Sequence, residues 1–149
     1  DHVSSEIFAP KTLTPTGNTQ IICLIYTPDG SLRGVNRSVA QQIDLMPTLL
    51  GLTGYDRPYF AFGRDVLRET DREPMVSNYA GGTYQGITDS LVLFFDGERT
   101  LSAYLRSDTL QKNDISGIRT PALEAAERDL KARLQQYYRH VKQKDYLAE

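Results

Sequence analysis

The sequence has one cysteine, Cys23, among 149 residues. That excludes an internal disulfide and leaves the redox compartment open. There is no apolar run of about 18 residues and no secretory leader pattern, so neither a membrane-spanning helix nor a signal peptide is read in it. It also lacks a basic run and any interleaving of basic with aromatic residues. With 17 Lys and Arg against 19 Asp and Glu, the net charge is -2. Nothing in that balance favours nucleic acid or an anionic membrane surface as partner. A Gly-rich phosphate loop, a Cys-x-x-Cys pair, a Ser-His-Asp arrangement, internal repeats and low-complexity segments are all wanting.

What is there suits one globular domain with a sizeable core: 40% of residues are hydrophobic and 24% charged. Residues 3–19 are rich in Ser, Thr, Pro and Gly and read as loop. Residues 20–27 form a continuous apolar run, with Ile21, Ile22, Leu24 and Ile25, before the turn signal Pro28-Asp29-Gly30. This predicts a strand buried on both faces, as in a parallel sheet covered by helices, with Cys23 an inert buried thiol. After a short extended stretch over 38–43, Asp44 is suited to cap a helix over about residues 45–53. Pro47 falls in the first turn of that helix and Gly54 stops it. Leu45, Leu49 and Leu52 share one face, with Met46 and Leu50 beside it.

Residues 55–62 are a turn-rich aromatic cluster, and 64–72 are charged and expected at the surface. A strand over 75–79 is followed by Gly81-Gly82. Three further apolar runs, 83–87, 91–95 and 101–105, are separated by Thr88-Asp89-Ser90 and Asp96-Gly97-Glu98. Asp-Gly between apolar runs is a hairpin signal, so 83–106 reads as an antiparallel meander. After a polar loop, Thr120 (N-cap) and Pro121 (first helical position) open an amphipathic helix to about residue 142. Leu123, Ala126, Leu130, Leu134, Tyr137 and Val141 recur along it in steps of three and four.

Few residues carry chemistry. Asp1-His2 offers a carboxylate and an imidazole, suitable ligands for a borderline divalent ion. The polar atoms of Asp44 and Thr48 are expected to be consumed in helix capping, His140 to be a solvated surface residue, and Asn78 and Tyr79 to serve packing and turns rather than a site rim.

Asp1-His2, the apolar run ending at Thr27-Pro28, and Gln42-Ile-Asp-Leu-Met-Pro-Thr-Leu-Leu-Gly-Leu-Thr-Gly54 resemble, in order and spacing, the late part of a sulfatase-type catalytic domain. That family belongs to the alkaline-phosphatase superfamily and includes the phosphoglycerol transferases typified by lipoteichoic acid synthase. Gly63-Arg64-Asp65-Val66-Leu67 is similar to the stretch that follows in the family. Residues 104–113, with Ser107-Asp108, resemble its late Tyr-Asn-x-x-x-Asp-Pro motif, though the Pro and the usual Glu are absent. The resemblance covers nearly the whole chain and is strongest over 39–67.

The resemblance implies an α/β chain: the C-terminal portion of an alkaline-phosphatase-like three-layer fold, in which 1–72 ends the α/β core and 73–149 adds antiparallel strands and a long helix. Asp1 and His2 would hold a divalent metal ion (Mn, Ca, Zn or Mg) together with ligands and a Thr, Ser or formylglycine nucleophile from a region upstream. No catalytic residue is assigned within the chain, which alone is expected to be inactive and to bind the ion weakly. The substrate would be a sulfate or phosphate ester, possible lipid head groups included. The intact protein would be tethered by N-terminal membrane helices, with its catalytic domain outside the cytoplasmic membrane of a bacterial cell envelope. A chain lacking the neighbours that cover residues 20–27 is expected to expose apolar surface there and to self-associate. The alternative is a stand-alone sheet-plus-helix interaction module over 75–149, without catalysis.

Overall fold

A computed structural model describes residues 9–68 and 73–143. Its regular elements are helix α1 (Leu45–Leu52), strands β1 (Met75–Ala80), β2 (Thr83–Thr88), β3 (Leu91–Phe95) and β4 (Thr100–Leu105), and helix α2 (Pro121–Gln143). The strands form one antiparallel sheet in the order β1-β2-β3-β4. The chain is therefore mixed α/β, a four-stranded meander with a C-terminal helix.

Turn chemistry sets the meander. Gly81 and Gly82 both have positive φ, +61° and +81°, the geometry that a two-residue hairpin loop requires and that side chains with a Cβ resist. Thr88 Oγ1 accepts the N–H groups of Ser90 and Leu91 between β2 and β3. Between β3 and β4, one oxygen of Asp96 accepts the N–H groups of Glu98 and Arg99. A register shift at Phe94 and Phe95 then leaves β4 with a bulge.

Helix α2 starts as its sequence indicates: Thr120 Oγ1 accepts the Leu123 N–H, and Pro121 needs no acceptor. Leu123, Ala126 and Leu130 pack against Met75, Leu91, Leu93, Phe95 and Ala103 of the sheet. Leu93 and Leu130 are fully buried. Gly86 makes this contact possible, since a Cβ there would stand 2.9 Å from a Leu93 methyl and 3.2 Å from one of Leu130. Each buried leucine contributes roughly 1.5–3 kcal/mol. Leu134 packs at the border of this core, whereas Val141, expected to face inward, is exposed because the helix has run past the sheet by then.

Both outer strands are covered locally, which blunts their pairing edges. Ser77 of β1 donates its N–H to Gln41 Oε1. Ala103 of β4 donates to Asp114 Oδ1 and accepts the Ile115 N–H.

The part before β1 departs from expectation. Residues 20–27 form no strand. Ile22 is 96% and Leu24 87% exposed, and Cys23 is an exposed thiol rather than a buried one. A strand needs a neighbour to satisfy its backbone, and none of the described residues forms one beside this run. The leucine face of α1 is likewise open: Leu45, Met46, Leu49 and Leu52 are exposed, while Pro47 and Thr48 are buried.

Candidate functional site

Asp1 and His2 lie outside the described residues. Among the described residues, no group of three or more His, Cys, Asp or Glu side chains is placed to hold a metal ion. The described residues thus do not supply a metal centre by themselves.

The segment around Asp44 forms a dense polar node. Asp44 does not cap α1 as a simple N-cap. Instead a 3-10 turn, Gln42–Asp44, precedes the helix, and Gln41 is the capping residue in a reciprocal capping box with Asp44. Asp44 Oδ2 accepts the Gln41 N–H, and Oδ1 accepts the Arg64 N–H from twenty residues on. Thr48 Oγ1 donates to the Asp44 carbonyl and accepts the Val66 N–H. Gly63 permits this approach, because a Cβ there would fall 2.1 Å from the Ile43 carbonyl oxygen. The Arg64 guanidinium donates to Ser38 Oγ and the Val39 carbonyl. Asp89, in the β2–β3 turn, accepts from Ser38 Oγ and the Val39 N–H and pairs with Arg106 at 3.0 Å. Every polar atom named is used to fasten residues 36–66 together and to the sheet. The Asp44-Pro47-Thr48 motif is structural here, as its chemistry suggested, though with partners farther along the chain than a helix cap would use.

The late motif is also a folded turn. One oxygen of Asp108 accepts the N–H groups of Lys112 and Asn113 and the Asn113 side-chain amide. The Asn113 N–H, the strongest of these influences, with the others holds the Asp108 carboxyl below the usual carboxylate range. Inside the same turn Gln111 sits at φ +51°, the one described non-glycine residue with positive φ. Its side-chain amide donates to Thr16 Oγ1 at 2.8 Å and so joins this loop to the N-terminal segment.

His140 is not simply solvated. It is half-buried, with its ring 4.7 Å from Phe60 and 5.8 Å from Phe62. The aromatic cluster of residues 55–62 thereby rests on the end of α2. Tyr79 and Asn78 are exposed on β1, with Tyr79 packed on Tyr84 at 4.9 Å.

The sheet face turned away from α2 carries an open groove of about 650 Å³. Phe94, Ser102 and Tyr104 form its floor, and Pro10, Leu13, Leu110 and Lys112 stand around it. A smaller recess of about 120 Å³ adjoins it, sharing Thr14 and Gln111 and bordered by Lys11 and Arg106. Sequence reasoning did not find this groove. The available signal was the alternation of β4, where Ser102 and Tyr104 point away from the Ala103 side that α2 covers.

No family model, curated protein or solved structure matches the chain.

Proposed function

We propose that the chain is the C-terminal part of a metal-dependent sulfatase-type hydrolase or phosphoglycerol transferase acting on sulfate or phosphate esters. In this reading residues 1–72 end the α/β core of an alkaline-phosphatase-like three-layer fold. The observation that carries it is the segment 42–67. Its order of Asp44, Pro47, Thr48, Gly54 and Gly63 resembles the family, and it folds into a rigid polar node whose leucine face is left open. A helix fastened on its polar side and apolar on its free side suits a position against a further layer. The uncovered run at 21–26 supports the same reading, since double-sided apolar segments belong inside parallel sheets.

In such an enzyme the divalent ion would polarise the ester's non-bridging oxygens. Asp1 and His2 would be its ligands from this chain, and the nucleophile would lie upstream. The other residues named here hold the architecture and touch no reacting atom.

The test is ester hydrolysis. The 149-residue chain should give no metal-dependent turnover of an aryl sulfate or aryl phosphate, because transition-state stabilisation needs the nucleophile and a full ligand set. Turnover above background would overturn the reading. When the chain is joined to an encoded upstream region bearing the nucleophile, activity should require the ion and be abolished by Asp1→Ala or His2→Ala. Near-normal turnover in either variant would remove both residues from the site.

A second reading, a stand-alone interaction module built on the sheet and α2, is favoured by one observation: the core between them closes on its own, with Leu93 and Leu130 fully buried. An open reading frame starting immediately before Asp1 would favour it over the enzyme.

A further inference from the structure

We propose that the groove on the outer face of the sheet is a binding site for a small amphipathic anion, with its flat apolar body on Phe94 and Tyr104 and its anionic group against Lys112. This inference is independent of the sulfatase-type reading and concerns residues that the resemblance assigns no role.

Size comes first. At about 650 Å³ the groove falls within the roughly 300–1,000 Å³ of small-molecule sites. Its floor is apolar and aromatic: Phe94 and Tyr104 lie edge to face, with ring centroids 6.2 Å apart. Exposed Leu13 and Leu110 also line it. Phe94 is already buried, so an apolar body placed there would cover the two leucines and the half-buried Tyr104.

Charge decides the polarity of the ligand. Among the described residues, Lys112 is the only ionisable side chain other than the Tyr104 phenol along the groove, and no carboxylate borders it. In the adjoining recess Lys11 adds a further cation, while Arg106 is already paired with Asp89. The one acid there, Asp108, is committed to the N–H groups of Lys112 and Asn113. A carboxylate, sulfonate or phosphate group is therefore favoured, and a cation is opposed.

The walls are also built rather than incidental. Gln111 holds a left-handed conformation, which costs a residue with a Cβ on the order of 1–2 kcal/mol. In that conformation it bonds to Thr16, bridging the two walls across 95 residues of sequence. Strain kept in this way marks a place where a fixed geometry is used. On the same sheet face Gln85, opposite Phe94 in the strand pairing, is buried and its Oε1 has no hydrogen-bond partner among the described residues.

The experiment titrates the ¹⁵N-labelled 149-residue protein with 2-naphthalenesulfonate and, separately, with neutral 2-naphthalenemethanol, following backbone amide shifts. Saturable shifts should centre on residues 101–104 and 110–113. Lys112→Gln, at an exposed position, should weaken sulfonate binding about two- to fivefold and leave the neutral probe unchanged. Ser102→Phe, which fills the floor, should abolish both. Shifts centred on residues 21–26 or 45–52, or no saturable shift at all, would overturn the site. An equal effect of Lys112→Gln on both probes would overturn the assignment of an anion. Amide spectra of the two variants report whether each keeps the fold, and a variant that loses it is replaced by Lys112→Met or Ser102→Leu, read in the same way.

Discussion

Two five-residue runs, 21–25 and 91–95, are both apolar throughout and have opposite fates. Leu91, Val92, Leu93, Phe94 and Phe95 are all buried: β3 has strands on both sides, α2 over one face and loops over the other. Around Ile22 and Leu24 the described residues supply no strand, no helix and no cover. The difference lies in neighbours, not in the runs themselves. An apolar run states that its faces want burial, but it does not contain its partners. The strand partners of β3 lie within ten residues of its two ends, connected by tight turns whose chemistry is local. Residues 21–25 have no such neighbours among the described residues, and a strand alone leaves its backbone groups unpaired.

The comparison is broken most sharply by truncation. Leu130→Ala removes a fully buried side chain that packs above Gly86 and should cost about 2–5 kcal/mol, including the cavity left behind. Leu24→Ala, at a side chain 87% exposed, should change stability by less than about 0.5 kcal/mol. Urea midpoints of the two variants give the contrast directly, and equal losses would refute it.

The Asp44 node is the next largest effect. Asp44→Ala leaves the N–H groups of Gln41 and Arg64 without their acceptor, at about 1–3 kcal/mol for each group left unsatisfied. Since the node fastens the first region and not the sheet, amide exchange should quicken over 36–66 before it does over 91–95. Uniform quickening would show that the two regions fold as one cooperative unit.

Acid sharpens the contrast more gently. The Ala103 N–H holds the Asp114 carboxyl below its ordinary 3.8, and the bonds from Lys131 first and Thr100 second hold Glu127 below its ordinary 4.5. Both carboxyls are more acidic folded than unfolded. The stability they add is therefore complete above those ordinary values and is lost as pH falls through them and below. Urea midpoints should be level from pH 7 to 5 and drop beneath about pH 4.5, and Asp114→Asn should flatten part of that drop. A drop already complete at pH 5 would count against these bonds.

Much of the second region is legible in the sequence because its determinants are short-range. Asp96-Gly97 marks a hairpin, and Thr120-Pro121 with the steps from Leu123 to Leu130 marks α2, whereas Gly81-Gly82 reads only as the end of a strand and proves to be a second hairpin. The periodicity does not say where the helix outruns its sheet, so Val141 is misplaced by pattern alone. Nor does it reveal that His140 meets Phe60 and Phe62, a contact across eighty residues. In the first region Pro47 and Gly54 place α1 well, yet its leucines point at nothing within the described residues. The role of Asp44 depends on Arg64, which becomes its neighbour only through the close approach at Gly63. The groove needs the bulge in β4 and the positive φ of Gln111, and neither is written in residue type. The metal ligands suggested by Asp1 and His2 fall outside the described residues.

The most direct measurement is amide hydrogen exchange on the 149-residue chain at low concentration, comparing residues 21–26 with 91–95. Exchange at 21–26 should run near the rate of an unstructured peptide, while 91–95 exchanges only through global unfolding. In a longer protein that restores the proposed α/β core, 21–26 should become as protected as 91–95. Strong protection of 21–26 in the isolated monomeric chain would contradict the account, because it would mean that the chain covers this run by itself.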